Sequence, residues 1–249
     1  MAFNYSPKIV TDGLVLYLDA ANTKSYVSGS TTWTDISRSG LNGTLINGPT
    51  FSSANGGSIV FDGVDDYVQS LNVPHSALLS NTIEVAFKVN SYSGTGKFAI
   101  AGYNLNALRN FSDSSTGMIY VESNNKIKSS VITTTQVYRG VTSVTNISLQ
   151  TYYVATLVRD MINGVLLLYI NGVLESQNTF DVSSYALWPP ASPIYVGSNN
   201  FIIAYYDSNN WGTGPYFNGS ISNVKLYNRV LSQAEITQNF NATKTRFGL

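Results

Sequence analysis

Three carboxylates and five large aromatic rings are the residues of this chain whose types and spacing could do chemistry. Asp62, Asp65 and Asp66 fall together in the run DGVDD. Carboxylates and backbone carbonyls converging from loops hold a hard cation such as calcium, so these three acids form a candidate calcium site. Asp is also a favoured turn residue, and chain reversal alone accounts for Asp62-Gly63. Trp188, Tyr205, Tyr206, Trp211 and Tyr216 lie in segments otherwise rich in Pro, Gly, Ser and Asn. Flat rings match the apolar C–H faces of sugars, and Asn or Asp side chains match their hydroxyl edges. The same rings could instead close the edge of a fold or pack on a neighbouring subunit.

Catalysis finds less support in the residues. Retaining glycoside hydrolysis needs two carboxyl groups about 5–5.5 Å apart, and inversion needs about 6.5–9.5 Å. No strand-like stretch carries alternating carboxylates, and DGVDD reads as a turn. The chain has one histidine, His75, after Pro74, and no cysteine. A Ser-His-Asp arrangement, a thiolate nucleophile and a cysteine metal site therefore have nothing to stand on. The expectation is a protein that is not an enzyme and requires no cofactor, with calcium as the one candidate ion.

Composition bounds the partners. Lys+Arg and Asp+Glu number 14 each, and charged residues make up 11% of the 249, against a typical share of about 25%. A basic footprint for nucleic acid is missing. No apolar stretch reaches the length of a membrane span, and the first ten residues lack the pattern of a signal peptide. The expectation is one domain, residues 1–249, with a surface of Ser, Thr, Asn, Gly and Tyr.

The elements that position the candidate residues are strands. Tyr152–Gln177 reads as three in succession: Tyr152–Arg159, the apolar run Val165–Ile170, and Val173–Gln177 after Asn171-Gly172. Asn-Gly tolerates the φ > 0 that both central residues of a type I′ turn require. Val165–Ile170 is apolar on both faces, which predicts a strand inside a sheet and covered on both sides. Leu14–Asp19, Ser58–Phe61, Tyr67–Leu71, Thr82–Asn90, Phe98–Tyr103, Gly117–Glu122, Lys126–Ile132, Val144–Leu149, Ile194–Gly197 and Gly219–Tyr227 read as further strands. In Thr82–Asn90, Ile83, Val85, Phe87 and Val89 alternate inward, with Glu84 and Lys88 outward. Ala20–Phe51 reads as a long loop anchored by Trp33 and Ile36, with tight turns at Asn42-Gly43 and Asn47-Gly48. Ser232, with Glu235 three residues on and Leu231 and Ile236 at the staple positions, predicts a helix over Gln233–Phe240. Six Asn-Gly and two Asp-Gly dipeptides among these short strands leave an all-β, two-sheet antiparallel jelly-roll sandwich with one short C-terminal helix.

FDGVDDYV (Phe61–Val68), YYVATLVRD…LLLYINGVL (Tyr152–Leu174), IYVGSN (Ile194–Asn199) and FNGSISNVKLYNRVLSQAEI (Phe217–Ile236) resemble the successive signatures of the laminin-G-like, concanavalin A-like lectin/glucanase jelly-roll family. The segments Gly13–Ser37 and Asn239–Leu249 resemble the versions found in tailed-bacteriophage virion proteins. This likeness implies a non-enzymatic virion structural protein, a multi-copy capsid decoration or a neck or tail part. It would sit on the virion surface after assembly in the host cytoplasm, with other virion proteins as partners and a homo-oligomer as one form. The family also contains carbohydrate-binding modules that hold host or environmental glycans, and glycan hydrolases. Fold alone does not choose among these.

Overall fold

The computed structural model describes residues 8–70, 80–92, 97–103, 118–122, 124–132, 138–182, 201–204 and 216–249. Among them, sixteen strands pair antiparallel into two sheets of eight. The first sheet has the order β14 (Val173–Thr179), β13 (Val165–Ile170), β12 (Tyr152–Asp160), β7 (Asn81–Val89), β16 (Asn218–Tyr227), β5 (Ser58–Asp62), β4 (Thr50–Ser52). Its eighth strand, β1 (Leu14–Asp19), pairs with Asn223–Tyr227 of β16, beyond the stretch that β5 occupies. The second has the order β11 (Tyr138–Asn146), β10 (Lys126–Ile132), β9 (Met118–Glu122), β8 (Lys97–Tyr103), β15 (Phe201–Ile203), β6 (Tyr67–Ser70), β3 (Gly43–Ile46), β2 (Thr32–Trp33).

Period-two alternation turns one face of each sheet inward. Leu16 and Leu18 of β1, Ile83, Val85 and Phe87 of β7, Leu157 of β12 and Leu166 and Leu168 of β13 share one buried cluster with Phe98, Ile119, Val121, Ile127 and Val131 of the opposite sheet. Each such side chain contributes about 1.5–3 kcal/mol on burial. In β16 a register shift between Ile221 and Asn223 changes the inward set from Ile221 to Val224 and Leu226.

The outer face of the first sheet is also covered. Tyr169, Thr156, Glu84, Lys225 and Tyr17 lie side by side across β13, β12, β7, β16 and β1. All but Tyr17 are buried. Helix α1 (Gln233–Thr243) and a 3-10 turn (Lys244–Phe247) lie over this face. Ile236 packs with Val158, Tyr169 and Tyr227, and the Phe247 ring stacks on Tyr152 at 4.8 Å. Arg246 donates to the Asp19 carboxylate at 2.9 Å and to Ser222 Oγ at 2.8 Å. Asn239 Oδ1 accepts the Val10 N–H at 2.8 Å, and its Nδ2 donates to the Tyr227 hydroxyl.

Several expectations are corrected here. Glu84 does face outward, but it is wholly buried because α1 and the 3-10 turn cover that face. The apolar strand β13 is buried along its whole length only on the inner face, since Val165 and Leu167 on the outer one are half-buried. The supposed loop Ala20–Phe51 contains β2, β3 and the start of β4. Asn42-Gly43 is no turn: Asn42 Oδ1 accepts the Asp35 N–H at 2.9 Å, and Gly43 opens β3, where a Cβ would lie 2.6 Å from Val68 Cγ1. The strand expected at Val144–Leu149 is the end of β11, which starts at Tyr138. Helix α1 continues past Phe240 to Thr243. Ile194–Gly197 lies outside the described residues.

Candidate functional site

β5 ends at Asp62 and β6 begins at Tyr67, so DGVDD is the crossing between the sheets. Gly63 takes φ 81°, which glycine adopts without the cost a side chain would bring. Asp62 Oδ1 accepts the Val64 N–H at 2.8 Å, and Asp66 Oδ2 accepts the Asp62 N–H at 3.1 Å. Carboxylate oxygens of Asp62, Asp65 and Asp66 lie within 4.8 Å of one another, with Asp62 and Asp65 exposed and Asp66 buried. Burial pushes the Asp66 carboxyl above its ordinary value, and the charges of Asp62 and Asp65 act the same way against the pull of the Asp62 N–H. The donor set fits a hard cation, because one oxygen each of Asp62 and Asp66 and both of Asp65 are left by these turn bonds. Calcium would be held by these three carboxylates and would supply a centre able to coordinate vicinal hydroxyls.

Strand pairing brings other loops to this end. Asn218 pairs with Asp62 and its Nδ2 donates to the Asp62 carbonyl at 2.8 Å. Tyr216, half-buried, therefore enters beside the acidic turn. Phe217 follows it into the core and meets Phe61 edge-on at 5.8 Å. Trp188, Tyr205, Tyr206 and Trp211 lie outside the described residues, as does His75. On the other side, Asn47 Nδ2 donates to the Asp65 carbonyl at 2.9 Å. Asn47 and Gly48 form a turn with φ 66° and 105°.

That turn also borders a groove of about 520 Å³ between residues 26–31 and 45–51. Its aromatic members, Tyr26 and Phe51, have ring centroids 5.5 Å apart. Tyr26 is fixed by its hydroxyl, which donates to the Ser30 carbonyl, while Phe51 is half-buried. Ser28, Thr31 and Asn47 supply hydroxyl and amide groups around them. In the sequence these residues read as part of a long loop and carry no mark of a site. The one signal is the Asn47-Gly48-Pro49 turn followed by an isolated Phe, which is weak without knowing that β4 joins the first sheet.

Two covered antiparallel sheets with rim loops define a lectin-type β-sandwich. A family model described as the concanavalin A-like lectin/glucanases superfamily matches residues 62–237, and the chain belongs to that superfamily as a laminin G-type domain. Among solved structures of similar fold is a Trypanosoma rangeli sialidase in complex with sialic acid, 18% identical with a TM-score of 0.66 over 94% of this chain and 33% of that one. Another is the binding domain of botulinum neurotoxin DC in complex with SialylT, 14% identical with a TM-score of 0.67 over 94% of this chain and 52% of that one. The chain thus spans about a third to a half of these relatives, and the likeness is one of fold. Among curated proteins none matches.

Proposed function

We propose that this chain is a non-catalytic glycan-binding module whose site is the rim formed by the acidic turn and the groove beside it. The observation that carries this reading is the Asn47–Asp65 hydrogen bond, which joins an aromatic groove to a cluster of carboxylates. The half-buried Phe51 offers an apolar face to a sugar ring, and Asn47, Ser28 and Thr31 offer partners for its hydroxyls. The sialic acid and SialylT complexes of the two fold relatives support a carbohydrate ligand. The reading of binding without cleavage is supported by Asp66: the acid held up by burial is 4% exposed, and a general acid must touch the leaving oxygen.

The setting on a bacteriophage particle rests on the likeness of Gly13–Ser37 and Asn239–Leu249 to virion proteins. Those segments belong to the folded body, with Trp33, Asn239 and Phe247 buried. In that setting the module decorates a capsid, neck or tail and carries the particle to glycans. The test is a glycan array with the wild type and Asn47→Ala/Phe51→Ala. Retention of defined glycans by the wild type, lost in the variant while it remains folded, is the expected result, with some drop in melting temperature because Phe51 also packs against the core. Absence of any retained glycan overturns the reading.

A further inference from the structure

Glu84, Lys225 and Asn223 form a buried cluster on the outer face of the first sheet, and we infer that it joins Lys225 Nζ to Asn223 Cγ in an intramolecular isopeptide bond. Strand pairing sets Glu84 of β7 opposite Lys225 of β16. Asn223, two residues back on β16, shares that face, and all three residues are at most 1% exposed. Lys225 Nζ lies 2.6 Å from Glu84 Oε1 and donates to Asn223 Oδ1 at 3.2 Å. The amine therefore touches both the carboxylate that can take its proton and the amide that it attacks. Asn223 Nδ2 is buried with no hydrogen-bond partner among the described residues. Leaving a buried donor unpaired costs free energy, and here nothing holds the amide against turning its carbonyl carbon towards Nζ, with Nδ2 as the leaving group.

A lysine becomes a nucleophile when it is desolvated and served by a neighbouring base. Transfer of one proton from Nζ to Glu84 Oε1 removes two charges that are costly to hold away from water and leaves a neutral amine. Its lone pair adds to Asn223 Cγ. The Cγ–Nδ2 bond then breaks as Glu84 gives its proton to Nδ2 and takes the second from Nζ. An ammonium, a carboxylate and a primary amide have become a secondary amide, a carboxylic acid and one ammonia, with no other reactant. Thr156 Oγ1, 3.4 Å from Glu84 Oε2, positions the carboxyl, and the Tyr17 ring lies 5.5 Å from Nζ on the β1 side. Because Glu84 is on β7 and its two partners are on β16, the bond forms only after these strands have paired. It spans two residues, so it adds little through loop closure. Its effect is to discharge a buried ion pair irreversibly once the sheet is complete.

The test is the intact mass of the full chain, followed by peptide mapping. The expected result is the sequence mass less one ammonia, with the loss in a peptide that contains both Asn223 and Lys225 and resists trypsin after Lys225. The six Asn-Gly dipeptides can also lose ammonia, as succinimides. Hydroxylamine cleaves those and leaves an isopeptide bond intact. Asn223→Ala keeps the Glu84–Lys225 pair and should fold at its full sequence mass, and Glu84→Gln should likewise show no loss. A wild-type chain at full sequence mass that trypsin cuts after Lys225 overturns the crosslink, whether or not either variant folds. A folded Glu84→Gln chain that still loses ammonia between these residues overturns the role of Glu84 as the proton carrier.

Discussion

Glu84 and Lys225 face each other across β7 and β16 with 2.6 Å between Nζ and Oε1, and neither side chain has any solvent exposure. Lys225 Nζ also donates to Asn223 Oδ1 at 3.2 Å and lies 5.5 Å over the Tyr17 ring. Taking two charges out of water costs nearly what their attraction returns, so the pair adds little net stability while either half alone is expensive. Lys225→Met should destabilise by about 3–5 kcal/mol, and Glu84→Leu/Lys225→Met should recover most of that loss. Urea unfolding of the three proteins checks it. A double variant no better than the single one would mean the pair is not an isolated unit.

Leu168 and Leu167 are neighbours on opposite faces of β13. Leu168 is fully buried between the sheets, while Leu167 is half-buried beneath α1. Leu168→Ala should cost about 2–5 kcal/mol, and Leu167→Ala about 1 kcal/mol. Equal losses would show that the helix covers its face as tightly as the opposite sheet covers the other.

The capping box of α1 predicts an acid-sensitive helix. Glu235 accepts from Arg229, its Oε1 lying 2.6 Å from Nη2, and from the Ser232 N–H at 2.8 Å. The Arg229 bond, first, and the Ser232 N–H hold its carboxyl down from 4.5 to about 2. A folded-state value below the unfolded one means that folding favours the ionised form. The contribution is complete above the unfolded value and is lost as pH falls through it towards the folded one. Melting temperature against pH should fall more steeply below about pH 5 in the wild type than in Glu235→Gln. Parallel curves would refute the linkage.

The acidic turn gives the opposite sign. Burial raises the Asp66 carboxyl, so its ionised form works against folding near neutral pH, and this cost grows as pH rises through the unfolded value towards the folded one. A bound cation would relieve that cost and stabilise by mass action, about 2.7 kcal/mol at a hundred times the dissociation constant. If the turn takes calcium, adding it to chelated protein raises the melting temperature, and Asp65→Asn abolishes the rise. An unchanged midpoint assigns DGVDD to chain reversal alone.

Local signals are legible in the sequence and coverage is not. Asn171-Gly172 takes φ 52° and 77°, as its hairpin demands, and Ser232 caps α1 reciprocally with Glu235. These depend on neighbours a few residues away. Glu84 reads as a solvated strand residue because the segment that buries it, α1 and the turn after it, begins only at Gln233. Gly43 misleads for a related reason: the same dipeptide that makes a turn at residue 47 is used at residue 42 for close approach to Val68. The groove at Tyr26 and Phe51 has no local signature because it exists only once β4 has joined β5.

β16 stands between β7 on one side and β5 and β1 on the other. During synthesis, β14, β13, β12 and β7 can pair as soon as they emerge, but β1, β4 and β5 have nothing to join them to until Asn218–Tyr227 has left the ribosome. The nascent chain therefore carries this sheet in separate pieces, with unpaired edges and with Tyr169, Thr156 and Glu84 uncovered, until β16 and α1 are made. Such long-range closure slows folding and lengthens exposure to aggregation. Ribosome-bound chains stalled just short of residue 218 should be protease-sensitive in β1, β4 and β5, and released chains that include residues 218–249 should not.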